Sequence, residues 1–128
     1  MDKIDFFDAV EKSLLLSMVR SVGLYPYIKP YLDEVSDDDR LAYEIHRIDN
    51  VEPGMVFHRL QAHVYNLLMQ RKNVVLSAST SVCKSLVIDA ILASKQYSKI
   101  VVVVPTIALI DETRRRLVKR YRSYCKII

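Results

Sequence analysis

Tryptophan is absent from the chain, and glycine occurs only twice in 128 residues. Cysteine is as scarce. Cys83 and Cys125 form no C-x-x-C pair, so neither a disulfide framework nor a thiolate metal site is indicated, and a reducing cytoplasm is the expected setting. His46, His58 and His63 have no zinc-ligand spacing. No apolar run approaches the roughly 18–20 residues of a membrane span, which argues against a membrane partner. The opening MDKIDFFDAVEKSLLL lacks the basic-then-apolar order of a secretory signal. No Ser/His/Asp or Cys/His pattern supports a hydrolytic triad.

What is present is a chain half apolar (51%), enough for a small globular core and too apolar for a disordered tail. Its net charge of +4 conceals a division. Residues 1–60 hold twelve Asp/Glu against seven Lys/Arg, net −5, whereas residues 61–128 hold three against twelve, net +9. A basic half fits an anionic partner, nucleotide or nucleic acid, and equally fits a solvated basic helix.

Apolar residues at 6, 7, 10, 14, 15, 18, 19 and 22 fall at helical spacing, and Gly23 is a natural stop. Pro26 and Pro30 restrict the next stretch. Ser36 caps a second helix, and Asp37, Asp38 and Asp39 read as its first turn, with no further ligand at a metal-like spacing. The turn DNVEPG (49–54) closes a helical N-terminal segment, residues 1–54. From 55 to 128 the pattern alternates. It gives a helix over 56–72, a short apolar run at 74–76, a loop at 77–83, a helix over 84–94, a β-branched run at 99–104, a helix over 107–121 and a further apolar run at 124–128. Such alternation predicts an α/β class, with parallel strands flanked by helices.

The loop SASTSVCKS (77–85) between a predicted strand and helix has the layout of a phosphate cradle. Backbone N–H groups at a helix N-terminus face the anion, Lys84 reaches phosphates, and the Ser85 hydroxyl holds Mg²⁺ beside the nucleotide. The general pattern G-x-x-x-x-G-K-[ST] has glycine where this chain has Ala78 and Cys83, and an ordinary β–α turn is the competing reading. A Cβ at position 83 costs about 1–2 kcal/mol if that residue needs positive φ, so weakened ATP binding is expected. In IALIDE, Asp111-Glu112 imitates an acidic Mg²⁺ strand. Pro105 already ends the preceding strand, however, and helical spacing continues to Tyr121. A small P-loop enzyme using Asp111 is disfavoured accordingly.

Taken with its flanks, the stretch from Arg59 to Leu117 resembles the opening of a superfamily 2 helicase core of the DEAD/DEAH-box kind. Ala78, Thr80, Ser81, Lys84 and Ser85 match the family's A-x-T-[GS]-x-G-K-[ST] loop, and only Cys83 departs. Gln61 is placed like the glutamine that reads adenine, and VVVVPTIALIDETRRRL looks like motif Ia. The resemblance implies a partial RecA-like P-loop domain over 55–128. It implies ATP and Mg²⁺ held by Gln61 and by Ala78, Ser79, Thr80, Ser81, Val82, Cys83, Lys84 and Ser85. Nucleic acid, DNA or RNA, would pass Pro105, Thr106 and Arg114, whose alternative roles are helix capping and a solvated face. The N-terminal segment resembles leaders of large bacterial helicases, including phage-defence ones. The acidic Mg²⁺ motif and a second RecA-like domain would lie beyond residue 128, so the isolated chain is expected to lack ATPase and unwinding activity. A truncated, non-catalytic module for nucleic acid or a partner protein is the alternative.

Overall fold

The computed structural model describes residues 8–78, 84–123 and 125–128. Among these the chain is helical, with α1 (Ala9–Ser21), a 3₁₀ helix (Tyr25–Tyr31), α2 (Asp37–Ile45), α3 (Arg59–Met69), α4 (Lys84–Ser94) and α5 (Ile107–Tyr121).

Local chemistry sets the ends. Asp8 caps α1, its Oδ1 accepting the Val10 and Glu11 N–H groups at 2.9 and 2.8 Å, while Glu11 accepts the Asp8 N–H in return. Gly23 ends α1 at φ +72°, the left-handed position of a Schellman turn, with Gly23 N–H on Arg20 O and Leu24 N–H on Val19 O. Pro26 and Pro30 fall within the 3₁₀ helix, and Ser36 caps α2 through the Asp39 N–H.

Two small cores result. Tyr25, Ile28, Tyr43 and Val56 pack the N-terminal elements together. Ile48, Phe57, Val64, Val87 and Ala90 bury α3 against α4. An isolated antiparallel bridge between Arg47 and Val56 links the two, around a turn closed by the Gly54 N–H on Asp49 Oδ1 at 2.8 Å. That hydrogen bond is the first cause holding the Asp49 carboxyl below its usual range. The apolar face of α1 divides: Val19 packs inward, whereas Val10, Leu14, Met18 and Val22 are 58–76% exposed.

The predicted α/β class is not what forms. Among the described residues there is no strand and no sheet, so the parallel-strand, RecA-like architecture is corrected to an all-helical one. In the β-branched run 99–104, Val101 and Val103 are 74% and 89% exposed, and in the run 74–76 Val75 is 99% exposed. Val74 and Leu76 pack on the α3–α4 core as single-sided coil. β-branched residues favour a pleated, half-buried surface rather than an intrinsic backbone state. A run becomes a strand only when its N–H and C=O groups find ladder partners. No backbone hydrogen bond among the described residues joins 74–76, 99–104 or 125–128 to one another.

Candidate functional site: the loop before α4 and the helix α5

α4 begins at Lys84, so the Lys84 and Ser85 backbone lies in the first helical turn, where N–H groups have no intrahelical acceptor. Both residues are exposed, and Ala78 is half-buried. The Lys84 ammonium reaches back to donate to Ala78 O at 2.8 Å. The two ends of the candidate phosphate loop are thereby tied by the lysine expected to bind phosphate. Ser79, Thr80, Ser81, Val82 and Cys83 lie outside the described residues.

Gln61 is neither exposed nor loosely placed. It is 1% exposed, and its Oε1 accepts the His58 N–H at 2.9 Å across the first turn of α3. The neighbouring His58 ring is partly buried, and desolvation pushes its pKa below 6.5. Because α3 packs on α4 through Val64, Phe57, Val87 and Ala90, the helices carrying Gln61 and Lys84 form one unit.

α5 is joined to that unit by a residue that sequence reasoning missed. Asp89, on α4, is 1% exposed. Its carboxylate takes the Arg116 guanidinium on one oxygen and Arg120 Nη1, at 2.7 Å, on the other. The Tyr121 hydroxyl adds a long hydrogen bond to Asp89 O at 3.4 Å. The signal was present: an acid embedded in the apolar helix KSLVIDAILAS must be paired if it is buried. This settles the three consecutive arginines. Arg116 turns inward to Asp89, exposed Arg115 pairs with Asp111 at 3.5 Å, and Arg114 is exposed beside a cleft with Val118 and Arg122. Thr106 is the N-cap of α5, its Oγ1 accepting the Leu109 N–H at 3.3 Å, with exposed Pro105 just before it. Asp111 stands within α5, so the acidic pair at 111–112 is helical.

The site thus consists of α4 at the centre, α3 on its apolar side, and α5 fastened by Asp89. A family model described as DEAD/DEAH box helicase matches residues 58–128, over half of the chain and all of these elements. The chain belongs to the DEAD/DEAH box helicase family. Residues 1–40 match a second model, the anti-bacteriophage protein B N-terminal domain. Anti-bacteriophage protein B of Escherichia coli (strain K12) is 43% identical over 116 residues, which is 91% of this chain and 16% of that relative. The chain therefore spans about one sixth of that relative's length. No solved structure matches. No helix among the described residues of this DEAD/DEAH box chain is long and apolar enough to cross a membrane.

Proposed function

We propose that the chain is the ATP-binding N-terminal part of a DEAD/DEAH box helicase, with a helical leader over 1–54 and part of the ATP-binding domain over 55–128. The observation that carries this reading is the Lys84 ammonium, held 2.8 Å from Ala78 O across the loop's two ends. A cation held at the junction of the loop and α4 supports this reading, because that is where a phosphate would sit. The residues fit the nucleotide. The Lys84 ammonium and the first-turn N–H groups of α4 would face its phosphates, the exposed Ser85 hydroxyl would share its Mg²⁺, and loop residues 79–83 would wrap it. ATP supplies the transferable phosphoryl group. Gln61 would act on the adenine end; in this structure it is 1% exposed and its Oε1 accepts the His58 N–H. Pro105, Thr106 and Arg114 would lie along a nucleic-acid path on α5. The longer protein would couple ATP to remodelling nucleic acid, in defence against bacteriophage as the relative's name has it.

The test is titration of a fluorescent ATP analogue with Mg²⁺. Binding should be measurable, should fall at least tenfold in Lys84→Ala, and should tighten by roughly tenfold in Cys83→Gly, which removes the Cβ penalty. Equal binding by the parent and Lys84→Ala would overturn the nucleotide reading.

One observation favours a second reading, a non-catalytic module for a partner protein. Val10, Leu14, Met18 and Val22 recur every four residues and are all more than half exposed, a stripe on α1 that nothing in the described chain covers.

A further inference from the structure

The C-terminal ends of α3 and α4 are tied side by side. Gln96 Nε2 donates to Met69 O at 2.9 Å, and the Tyr97 hydroxyl donates to Leu68 O, so the chain just after α4 holds the last turn of α3. The Arg71 N–H also reaches Leu68 O, at 2.8 Å, and the Lys72 N–H reaches Leu67 O, at 3.0 Å. Neutral donors thus serve these carbonyls, and the side chains of Arg71 and Lys72 are not needed there. Arg71, Lys72, Asn73, Gln96, Tyr97 and Ser98 line a cleft of about 450 Å³ at this end, and exposed Lys99 follows its edge. Arg71, Lys72 and Lys99 pair with no carboxylate among the described residues. Asp89 is the only acid between residues 53 and 110, and it is buried against Arg116 and Arg120. The two helix ends bring about half a negative charge each, so against three side-chain cations this end keeps about +2. It is remote from the candidate nucleotide loop. α4 has eleven residues from Lys84 to Ser94, so about 16 Å of rigid helix separates the two.

The leader carries the complement. Asp33, Asp37 and Asp38 cluster around the start of α2, and all three are exposed. Their neighbours Glu34 and Asp39 are taken by Lys12 and Arg20. Asp33, Asp37 and Asp38 enter no ion pair among the described residues. We infer that the cleft at the ends of α3 and α4 docks a second copy of this chain, through the partner copy's acidic stretch around Asp37. Three cations without a counter-charge at one end of the chain meet three unpaired acids from the other. Arg71 offers a planar fork to a carboxylate, and Lys72 and Lys99 offer ammonium donors. Different surfaces meet, so the contact is heterologous, joining copies head to tail. Exposed ion pairs are individually weak and are screened by salt, so the association is reversible and belongs to low ionic strength. The contact needs neither ATP nor nucleic acid, and it stands apart from the nucleotide reading.

The experiment is sedimentation velocity of the whole chain over a range of concentrations, at about 50 and about 300 mM KCl. At low salt the average mass should exceed that of one chain and rise with concentration. At the higher salt the dissociation constant should be at least tenfold weaker. Two variants each remove one half of the contact: Arg71→Gln/Lys72→Gln/Lys99→Gln neutralises the cleft, and Asp33→Asn/Asp37→Asn/Asp38→Asn neutralises the acids. Each alone should sediment as a single chain. Mixed, they should associate again and stop at two copies, because one supplies only the cleft and the other only the acids. All six positions are exposed, the backbone caps of α3 are kept, and Asn is a good residue at a helix start. Circular dichroism checks that both variants keep their helices. A parent that stays a single chain at low salt, association that persists in either variant, or a mixture that stays dissociated would each overturn the inference. Association that salt does not weaken would also overturn it, and would point to the exposed valines instead. Were the occupant a nucleic acid or another protein's acidic segment, an oligonucleotide or a poly-glutamate peptide would bind the parent and not the cleft variant, while the parent ran as a single chain. That result too would overturn it.

Discussion

A methyl group at residue 23 would have nowhere to go. Gly23 sits at φ +72°, and a Cβ built there would lie 2.4 Å from the Arg59 Cβ, an atom fixed by its own helix. Gly54, at φ +75°, would meet only the Lys29 Nζ at 3.1 Å, the movable end of a long side chain. Both substitutions to Ala carry the left-handed penalty of about 1–2 kcal/mol. Only Gly23→Ala adds a rigid clash, so its urea-unfolding midpoint should fall clearly further than that of Gly54→Ala. The close approach exists because Arg59 docks there. Its N–H donates to Gly23 O at 2.9 Å, and its guanidinium reaches Arg20 O, Ser21 O and the Tyr25 hydroxyl at 3.2–3.3 Å. One side chain thus reaches the Ser21 carbonyl at the open end of α1 and adds a second donor to Arg20 O, which already accepts the Gly23 N–H.

At the scale of elements, the start of α3 is the titratable joint. Burial holds the His58 ring below the ordinary histidine pKa of 6.5. The folded state therefore prefers the neutral ring. Its contribution is complete above pH 6.5 and is lost as the pH falls through the window below that value, because the unfolded chain then takes up the proton first. Urea midpoints at pH 7.5 and 5.5 should fall on acidification in the parent and fall less in His58→Asn, which keeps a good N-cap residue. The helices were the legible part of the sequence, and α4 and α5 begin and end where apolar spacing and caps put them. The strands were misread because an apolar β-branched run reports only a preference. Val75 and Val103 show that preference unmet, since pairing depends on neighbours that local pattern does not specify. Lys84 and Ser85 were singled out by motif. The tie from Lys84 to Ala78, the buried cap made by Gln61 and the Asp89 clamp depend on contacts across turns and between helices, which spacing alone does not reveal.

Over the whole molecule, exposed valines and divided charge shape behaviour in solution. Val75, Val101 and Val103, at 99, 74 and 89% exposure, lie outside the helices in apolar β-branched runs of the kind that recruit other chains. The triple Val→Thr variant retains β-branching and approximate volume. It should raise the concentration at which light scattering begins while leaving Tm within a degree or two, since the positions contribute little to either core. A matching loss of Tm would mean that these segments pack more than their exposure indicates. The Arg59 latch has a consequence of timing. Ser21 and Arg59 are 38 residues apart, so during synthesis at about 5–20 residues per second the end of α1 is made about 2 to 8 s before its capping side chain exists. Helices form in about a microsecond. The interval in which the end of α1 waits for that capping side chain is thus set by the pace of the ribosome rather than by the helix's own folding.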